Sequence, residues 1–119
     1  MFVSASSFLQ TGVSYNHAVV GQEVLLSCMV SNLGNFSLIW KKVDKKRQEN
    51  LILVVNSEKV NEDERVGVVH APGGEVFGLE ILNVTKYDEG MFLCEINTDP
   101  LETSFHLLTV RDSRERTDL

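Results

Sequence analysis

The stretch Asp88-Glu89-Gly90-Met91-Phe92-Leu93-Cys94 decides the fold of this chain. It joins an Asp-Gly turn signal to an apolar run that ends at the second of two cysteines. The first cysteine, Cys28, lies in residues 23–31, where apolar residues alternate as they do in a half-buried β-strand. Trp40 follows in a second alternating run, residues 36–43. We therefore predict that the stretch leads into a strand of an all-β domain.

The two cysteines, the tryptophan and the Asp-Gly run together resemble the immunoglobulin fold. In that fold the first cysteine lies on strand B, the tryptophan on strand C, and D-x-G-x-Y-x-C leads into strand F. The resemblance covers residues 13–110 and implies an all-β, immunoglobulin-like sandwich of variable-like (V/I-set) form. It also implies a Cys28–Cys94 disulfide between strands B and F, with the Trp40 indole packed against it. Residues 1–12 and 111–119 are expected to be flexible terminal segments or a linker.

The variable-like form is indicated by the chain between Trp40 and Arg65, which has room for two extra strands, C′ and C″. The resemblance further implies that Arg65 pairs with Asp88. Phe92 stands where the family has tyrosine, so the hydroxyl that ties this corner to the backbone is missing. We expect that loss to cost about 1 kcal/mol, partly offset by the apolar ring.

Composition restricts the class of partner. The formal net charge is −6, from 11 basic and 17 acidic side chains, so we expect no nucleic-acid partner. No apolar run is long enough to span a bilayer, and residues 1–10 lack the pattern of an intact signal peptide. The implied disulfide requires an oxidising compartment. We therefore expect an extracellular domain, secreted or held at the cell surface by a membrane-anchored parent protein.

No group of residues suggests catalysis. His17, His70 and His106 lie on separate predicted strands without the spacing of metal ligands. The acidic residues 62–64 are typical of a solvated loop. No serine lies in a nucleophile elbow. We expect no enzyme and no cofactor, metal or small-molecule substrate.

The run Leu51-Ile52-Leu53-Val54-Val55 does not alternate, unlike a strand with one face in water. In the immunoglobulin frame it is strand C′, in one sheet with strands C, F and G. Strand parity predicts that Ile52 and Val54 face outward while Leu53 and Val55 face the core. One interpretation is that the loops of the fold bury both sides of this strand. The other, which we favour, is a protein–protein interface with an apolar centre and a polar rim.

The expected interface extends over strands C and F, where the residues that alternate with the core tryptophan and cysteine point outward. Val60, on strand C″, is placed at the rim. On strand G two assignments stay open: either Phe105 and Leu107, or His106 and Leu108, share the face. The predicted partner-binding residues are Ile39, Lys41, Ile52, Val54, Val60, Leu93, Glu95 and Asn97.

A closer resemblance supports the interface. Residues 94–100, Cys-Glu-Ile-Asn-Thr-Asp-Pro, look like the C-Q-[IV]-N-T-D-P run of the first immunoglobulin domain in neuronal adhesion receptors of the lachesin, IgLON and Dpr-interacting-protein type. Residues 40–44, Trp-Lys-Lys-Val-Asp, resemble the W-x-[RK]-V-D run of that family, and Ile52 and Val60 match its C′ and C″ positions. Such receptors pair between apposed cells through the C, C′, C″, F and G face, with themselves or with related receptors. The implied function is recognition and adhesion between neurons. The implied contacts are Lys41, Ile52, Val60, Glu95 and Asn97.

The chain departs from that family in three places. Glu95 replaces the family glutamine and puts a charge at the expected centre, where Lys41 is a candidate counter-ion. The loop at residues 45–50 is longer and more basic than usual, and no Pro-Pro pair follows Val110. Two alternatives therefore stay open. One is a variable-like domain of an immune receptor or its ligand, and the other is a structural module that packs end to end.

Two glycosylation sequons occur, Asn35-Phe36-Ser37 and Asn83-Val84-Thr85. In an extracellular domain they predict N-linked glycans on Asn35, at the B–C corner, and on Asn83, near the E–F corner. Neither corner lies on the sheet face that carries the predicted partner-binding residues.

Overall fold

The computed structural model describes residues 8–70 and 74–112, which form ten β-strands and one 3₁₀ turn. The turn, Lys86–Asp88, begins with a Thr85 cap, and no helix in these residues is long and apolar enough to cross a membrane. The strands are β1 Phe8–Leu9, β2 Gly12–Val19, β3 Val24–Ser31, β4 Leu38–Asp44, β5 Glu49–Val55, β6 Glu58–Lys59, β7 Val66–Val69, β8 Val76–Ile81, β9 Gly90–Ile96 and β10 Glu102–Arg111.

The strands form two sheets, and this arrangement confirms the predicted variable-like sandwich. The first sheet has the order β1-β3-β8-β7, and the second has the order β2-β10-β9-β4-β5-β6. All pairs are antiparallel except β2 with β10, which is parallel. Strands β4, β5, β6, β9 and β10 correspond to C, C′, C″, F and G.

The core lies between the two sheets. The predicted disulfide joins Cys28 on β3 to Cys94 on β9, with Cα atoms 6.4 Å apart. Trp40 lies opposite Cys94 in the register of β4 with β9 and is almost completely buried. The Phe92 ring is buried too, and the Lys42 ammonium lies 5.5 Å from its centroid, within range of a cation–π contact.

The N-terminal boundary lies earlier than the sequence indicated. Phe8–Leu9, assigned above to a flexible segment, forms strand β1, which pairs with β3 and buries the Leu9 side chain. At the other end β10 continues through Arg111. Residues 1–7 and 113–119, which hold the rest of the two predicted flexible segments, lie outside the described residues.

Strands β4 and β5 are joined through a β-bulge. Trp40 lies opposite Val54, but the next residue, Lys41, lies opposite Ile52. Leu53 is therefore an extra residue on β5. A bulge of this kind changes which side of the sheet the following residues face.

The bulge overturns half of the predicted orientation of β5. Val54 shares the inward side with its partner Trp40 and is fully buried, whereas Val55 lies opposite Ile39 on the outward side. The prediction that Val54 faces outward and Val55 faces the core is therefore wrong. The predictions for Ile52, which is exposed, and for Leu53, which is buried, are confirmed.

Arg65 makes the predicted ion pair with Asp88, near the 3₁₀ turn. Its two terminal nitrogens donate to the two Asp88 carboxylate oxygens at 2.8 and 2.9 Å. The Thr85 N–H donates to the same carboxylate at 2.7 Å, and Arg65 also donates to Asp63 at 2.9 Å. Such two-pronged, charge-assisted hydrogen bonds are stronger than neutral ones. They hold the loop before β7 against the turn before β9.

The Asp88 carboxylate predicts a loss of stability in acid. Burial on its own raises the pKa of Asp88, but the hydrogen bonds from Arg65 and Thr85 outweigh it and hold the pKa below the ordinary value of 3.8. A carboxyl group whose pKa is depressed by folding contributes stability above its unfolded pKa and loses it as the pH falls through the folded value. We expect Asp88→Asn to lower the free energy of unfolding by about 2 kcal/mol at neutral pH. We also expect it to weaken the fall in stability below about pH 4.

Urea unfolding at a series of pH values, followed by Trp40 fluorescence, measures both effects. Glu58→Gln, at an exposed position of β6, removes one carboxylate and serves as the control. An Asp88→Asn domain as stable as the native one at neutral pH, or with the native acid dependence, would contradict this role of the ion pair.

Candidate recognition face

The outward side of the second sheet carries side chains from four neighbouring strands in two cross-strand rows. Residues paired across strands project to the same side of a sheet. The first row is Phe105, Leu93, Lys41 and Ile52, and the second row is Thr103, Glu95, Ile39 and Val55. We call these eight residues the recognition face.

An ion pair lies at the centre of the recognition face. Lys41 Nζ is 2.8 Å from Glu95 Oε1, and the two side chains are only 23% and 10% exposed. Leu93, between Lys41 and Phe105 in its row, is 7% exposed although it points away from the sandwich core. A charge that is nearly buried is costly unless it is paired. Glu95 therefore has its counter-ion within the same domain.

Apolar side chains surround this ion pair. Ile52 is 44% exposed and Phe105 is 39% exposed, and they lie at the two ends of the first row. Ile39 and Val55, adjacent in the second row, are half-buried. Apolar area of this kind, around a charge that is already compensated, can be covered by another protein without leaving an unpaired charge.

Strand β10 resolves the alternative that the sequence left open. Phe105 and Leu107 face outward, while His106 and Leu108 are buried on the inner side. The last two predicted contacts lie at the margin. Val60 follows β6, is exposed, and its N–H donates to the Leu53 carbonyl. Asn97 follows β9.

The side chain of Asn97 is engaged within the domain. Its Oδ1 accepts a hydrogen bond from the Ser37 N–H at 2.7 Å, and its own N–H donates to the Ser37 carbonyl at 3.2 Å. Asn97 therefore fastens the end of β9 to the turn before β4. The Oδ1 atom of this exposed residue is therefore already used within the domain.

The non-alternating run on β5 now has a physical explanation. Its central pair, Leu53 and Val54, is buried within the fold because of the bulge. Ile52 and Val55 belong to the recognition face, and Leu51, on the side opposite to Ile52, is 47% exposed. The fold itself therefore buries part of the run, while Leu51 and Ile52 stay exposed on opposite sides of the sheet.

Strand β2 extends the apolar surface beyond what the sequence indicated. Val13 lies opposite Phe105 and Tyr15 lies opposite Leu107, and both are exposed. The alternation of Val13, Tyr15 and His17 was the available signal. It could not be used because the pairing of β2 with the last strand of the chain is not visible in local sequence.

The side chains of His106 and His70 make contacts within the domain. His106 is buried, and its two ring nitrogens form hydrogen bonds with Ser14 Oγ and Ser104 Oγ, both at 2.8 Å. The centroid of its ring is 5.0 Å from that of Trp40. Burial lowers the pKa of His106. His70 stacks on Phe77. Within residues 8–70 and 74–112, no three His, Cys, Asp or Glu side chains are grouped as metal ligands.

Both sequon asparagines are accessible. Asn35 is exposed in the turn before β4, and Asn83 is exposed between β8 and the 3₁₀ turn. Neither belongs to the recognition face. Arg65 contacts only the backbone carbonyl of Asn83, so this contact leaves the side chain available.

Comparison with known proteins supports the predicted variable-like immunoglobulin fold. The sequence model described as the immunoglobulin V-set domain matches residues 12–111. Among curated relatives, lachesin of Schistocerca americana is 26% identical over 78 residues, which is 65% of this chain and 22% of that protein. Cell adhesion molecule 2 of Rattus norvegicus is 30% identical over 92 residues, 77% of this chain and 20% of that protein. The chain thus spans about a fifth of the length of the curated relatives it matches.

Two solved structures have the same fold at similar identity. The RIG-5 IG1 homodimer gives a TM-score of 0.79 at 25% identity, and the match covers 90% of this chain and 99% of that one. Dpr1 IG1 bound to DIP-eta IG1 gives 0.77 at 25% identity, covering 88% of this chain and 95% of the other. One of these structures is a homodimer and the other is a complex of two different proteins.

Proposed function

Because the chain belongs to the immunoglobulin V-set family, we propose that it is an extracellular cell-surface recognition domain that pairs through its recognition face. The partner is a second copy of the chain, a related immunoglobulin-domain receptor, or both. The observation that carries the proposal is the outward face of the second sheet. There, exposed Ile52 and Phe105 flank a nearly buried Lys41–Glu95 ion pair.

The composition of this face suits a partner of the same class. Protein interfaces combine an apolar, well-packed centre with a polar rim, and a few central residues supply most of the affinity. Ile52 and Phe105 are the largest exposed apolar side chains of the recognition face. Covering them removes apolar area from water, and the neighbouring ion pair needs no counter-charge from the partner.

Similar proteins support the class of partner. RIG-5 IG1 forms a homodimer, and Dpr1 IG1 binds DIP-eta IG1. Cell adhesion molecule 2 and lachesin are relatives by sequence. We infer adhesion between cells, and between neurons in particular, for a parent protein that is membrane-anchored or secreted. A modest affinity is sufficient there because many copies act together between two surfaces.

Glu95 restricts which partners fit. A glutamine at this position offers both a donor and an acceptor, whereas a carboxylate only accepts hydrogen bonds. Since Lys41 already holds Glu95, a partner with an unpaired carboxylate over this centre would bury like charges, which is unfavourable. We therefore infer a partner whose matching surface is apolar, donates hydrogen bonds, or carries a carboxylate that is itself paired, as Glu95 is in a second copy of the chain.

Sedimentation equilibrium over a wide concentration range tests the proposal. We expect the domain to form dimers with a dissociation constant of about 1–100 μM. If the domain stays monomeric, surface plasmon resonance against the first immunoglobulin domains of V-set receptors from the same organism tests pairing with a related partner. A domain that binds neither itself nor any of these would refute the proposed function.

We further propose that Asn35 and Asn83 carry N-linked glycans. Both asparagines are exposed and both lie outside the recognition face, so glycans there leave pairing unaffected. Expression in a secretory host is expected to give a protein whose mass falls on treatment with an endoglycosidase. Asn35→Gln and Asn83→Gln should each remove one glycan, and a variant with unchanged mass would exclude its site.

A further inference from the structure

A basic turn between β4 and β5 is the feature that the proposed function leaves unexplained. Lys45, Lys46 and Arg47 are all exposed there, in a domain whose net charge is −6. Asp44 shapes the turn by accepting hydrogen bonds from the N–H groups of Lys46 and Arg47 at 3.0 and 3.2 Å. The lysines are thus presented on a defined loop.

Next to this turn lies an open hollow of about 670 Å³. None of the eight residues of the recognition face lines it, although Leu107 and its cross-strand partner Met91, on the outward side of the same sheet, do. The Tyr87 side chain at its margin is 91% exposed, which is unusual for an aromatic residue. Residues that line the hollow include Lys42, Lys45, Lys46, Leu51, Tyr87 and Met91.

The acidic neighbours offset the positive charge around the hollow only in part. Asp44 accepts hydrogen bonds from the turn backbone and lies 3.8 Å from Arg47. Glu89 accepts a hydrogen bond from the Val110 N–H at 2.8 Å. In the described part of the chain, neither Lys45 nor Lys46 forms an ion pair. Glu49, exposed at the start of β5, is the remaining carboxylate of the turn and also forms none there.

Lys42 adds a third positive charge. Its ammonium donates to the Tyr87 carbonyl at 2.7 Å. Burial lowers the pKa of Lys42, and the nearby Asp88 and Asp44 carboxylates partly oppose that shift. An anionic ligand would therefore meet one ammonium group held by a hydrogen bond and two on exposed side chains, beside an exposed aromatic ring. Lysines act as point charges for sulfate or phosphate groups, and aromatic and apolar side chains pack against the faces of sugar rings.

We propose that this hollow and the basic turn bind a sulfated polysaccharide of the glycosaminoglycan type. The disulfide places the domain in an oxidising, extracellular setting, where sulfated polysaccharides are the abundant linear polyanions. A site of this kind holds the domain in the matrix at a cell surface and uses none of the eight residues of the recognition face. It does not depend on the pairing proposed above.

Binding of a size-defined heparin oligosaccharide, measured by titration calorimetry at about 0.15 M salt, tests the proposal. We expect saturable binding that weakens as salt rises, because ion release contributes to it. Lys45→Ser and Lys46→Ser should each weaken binding about fivefold, and the double variant more than either. Lys59→Ser, on exposed β6, removes the same charge elsewhere and should leave the affinity unchanged.

Three outcomes would overturn the assignment. The first is no binding of native protein at that salt concentration. The second is a Lys59→Ser variant that loses as much affinity as Lys46→Ser. Binding would then depend on the net charge of the domain and not on the position of the lysines in the turn. The third is a polyglutamate peptide of equal charge that binds as tightly as heparin, which would assign the turn to acidic protein segments. Sedimentation of the Lys45→Ser/Lys46→Ser protein should show native pairing, which separates this site from the recognition face.

Discussion

Ile52→Asp is expected to abolish pairing through the recognition face. Ile52 ends the row that contains Leu93 and Lys41, and its exposed side chain is the main apolar contribution of β5. An aspartate there would have to be buried by the partner without a counter-ion, because Lys41 is already paired with Glu95. We expect the dissociation constant to rise by at least about 30-fold, that is, about 2 kcal/mol. Sedimentation equilibrium, or binding to the related receptor found by screening, measures it.

Leu51→Asp is the matched control. Leu51 is the preceding residue on the same strand and has almost the same exposure, 47% against 44%, but it faces the other side of the sheet and lines the hollow. Both variants should keep the native circular dichroism spectrum, since neither side chain belongs to the core. Equal loss of pairing in the two variants, or native pairing in Ile52→Asp, would contradict the proposal that the domain pairs through the recognition face.

Removal of the disulfide is expected to have the largest effect on stability. The Cys28–Cys94 bond joins β3 of one sheet to β9 of the other across a sequence separation of 66 residues. Closing a loop of this length contributes about 4 kcal/mol in the chain-entropy model, a large part of the roughly 5–15 kcal/mol that stabilises a domain. We expect Cys28→Ala/Cys94→Ala to lower the free energy of unfolding by that amount.

Urea unfolding of the double variant beside the native protein gives the difference directly. Replacing both cysteines avoids a free thiol, which would confuse the comparison through intermolecular disulfides. Ser27→Ala, at the exposed position of β3 next to Cys28, controls for a small change of side chain on this strand that leaves the disulfide intact. A double variant less than about 1 kcal/mol weaker than the native domain would mean that packing around Trp40, not the covalent link, holds the two sheets together.

The sequence predicted the core of the fold because side chains alternate along a strand with a period of two. Cys28, Trp40 and Cys94 each lie in a run whose pattern is local, so their inward direction could be deduced without knowing their partners. The same parity placed Lys41 and Glu95 on the outward side, where the structure has them paired. Arg65 and Asp88 were matched through resemblance to a family, because nothing in the local sequence joins two residues so far apart.

Strand β5 shows where sequence reasoning failed. The run of five apolar residues, 51–55, has no polar residue that would mark the bulge. Strict alternation therefore predicted the wrong side of the sheet for Val54. The bulge arises from the pairing of β4 with β5 around Trp40, which is a property of two strands together. Similarly, the direction of Phe105 depended on the register of β10 with β9, and the exposure of Tyr15 depended on the pairing of β2 with the last strand.

By itself, the sequence determined the class of this protein: a disulfide-linked, variable-like sandwich with an outward face that includes Lys41, Leu93, Glu95 and Ile52. These features depend on residue types and on spacing within single strands. Only the tertiary structure decided that Val55 and Phe105 complete that face, that Val54 is core, and that Lys41 compensates Glu95. The physical reason is that register, bulges and ion-pair distances are set by packing between strands distant in sequence, and local pattern does not record them.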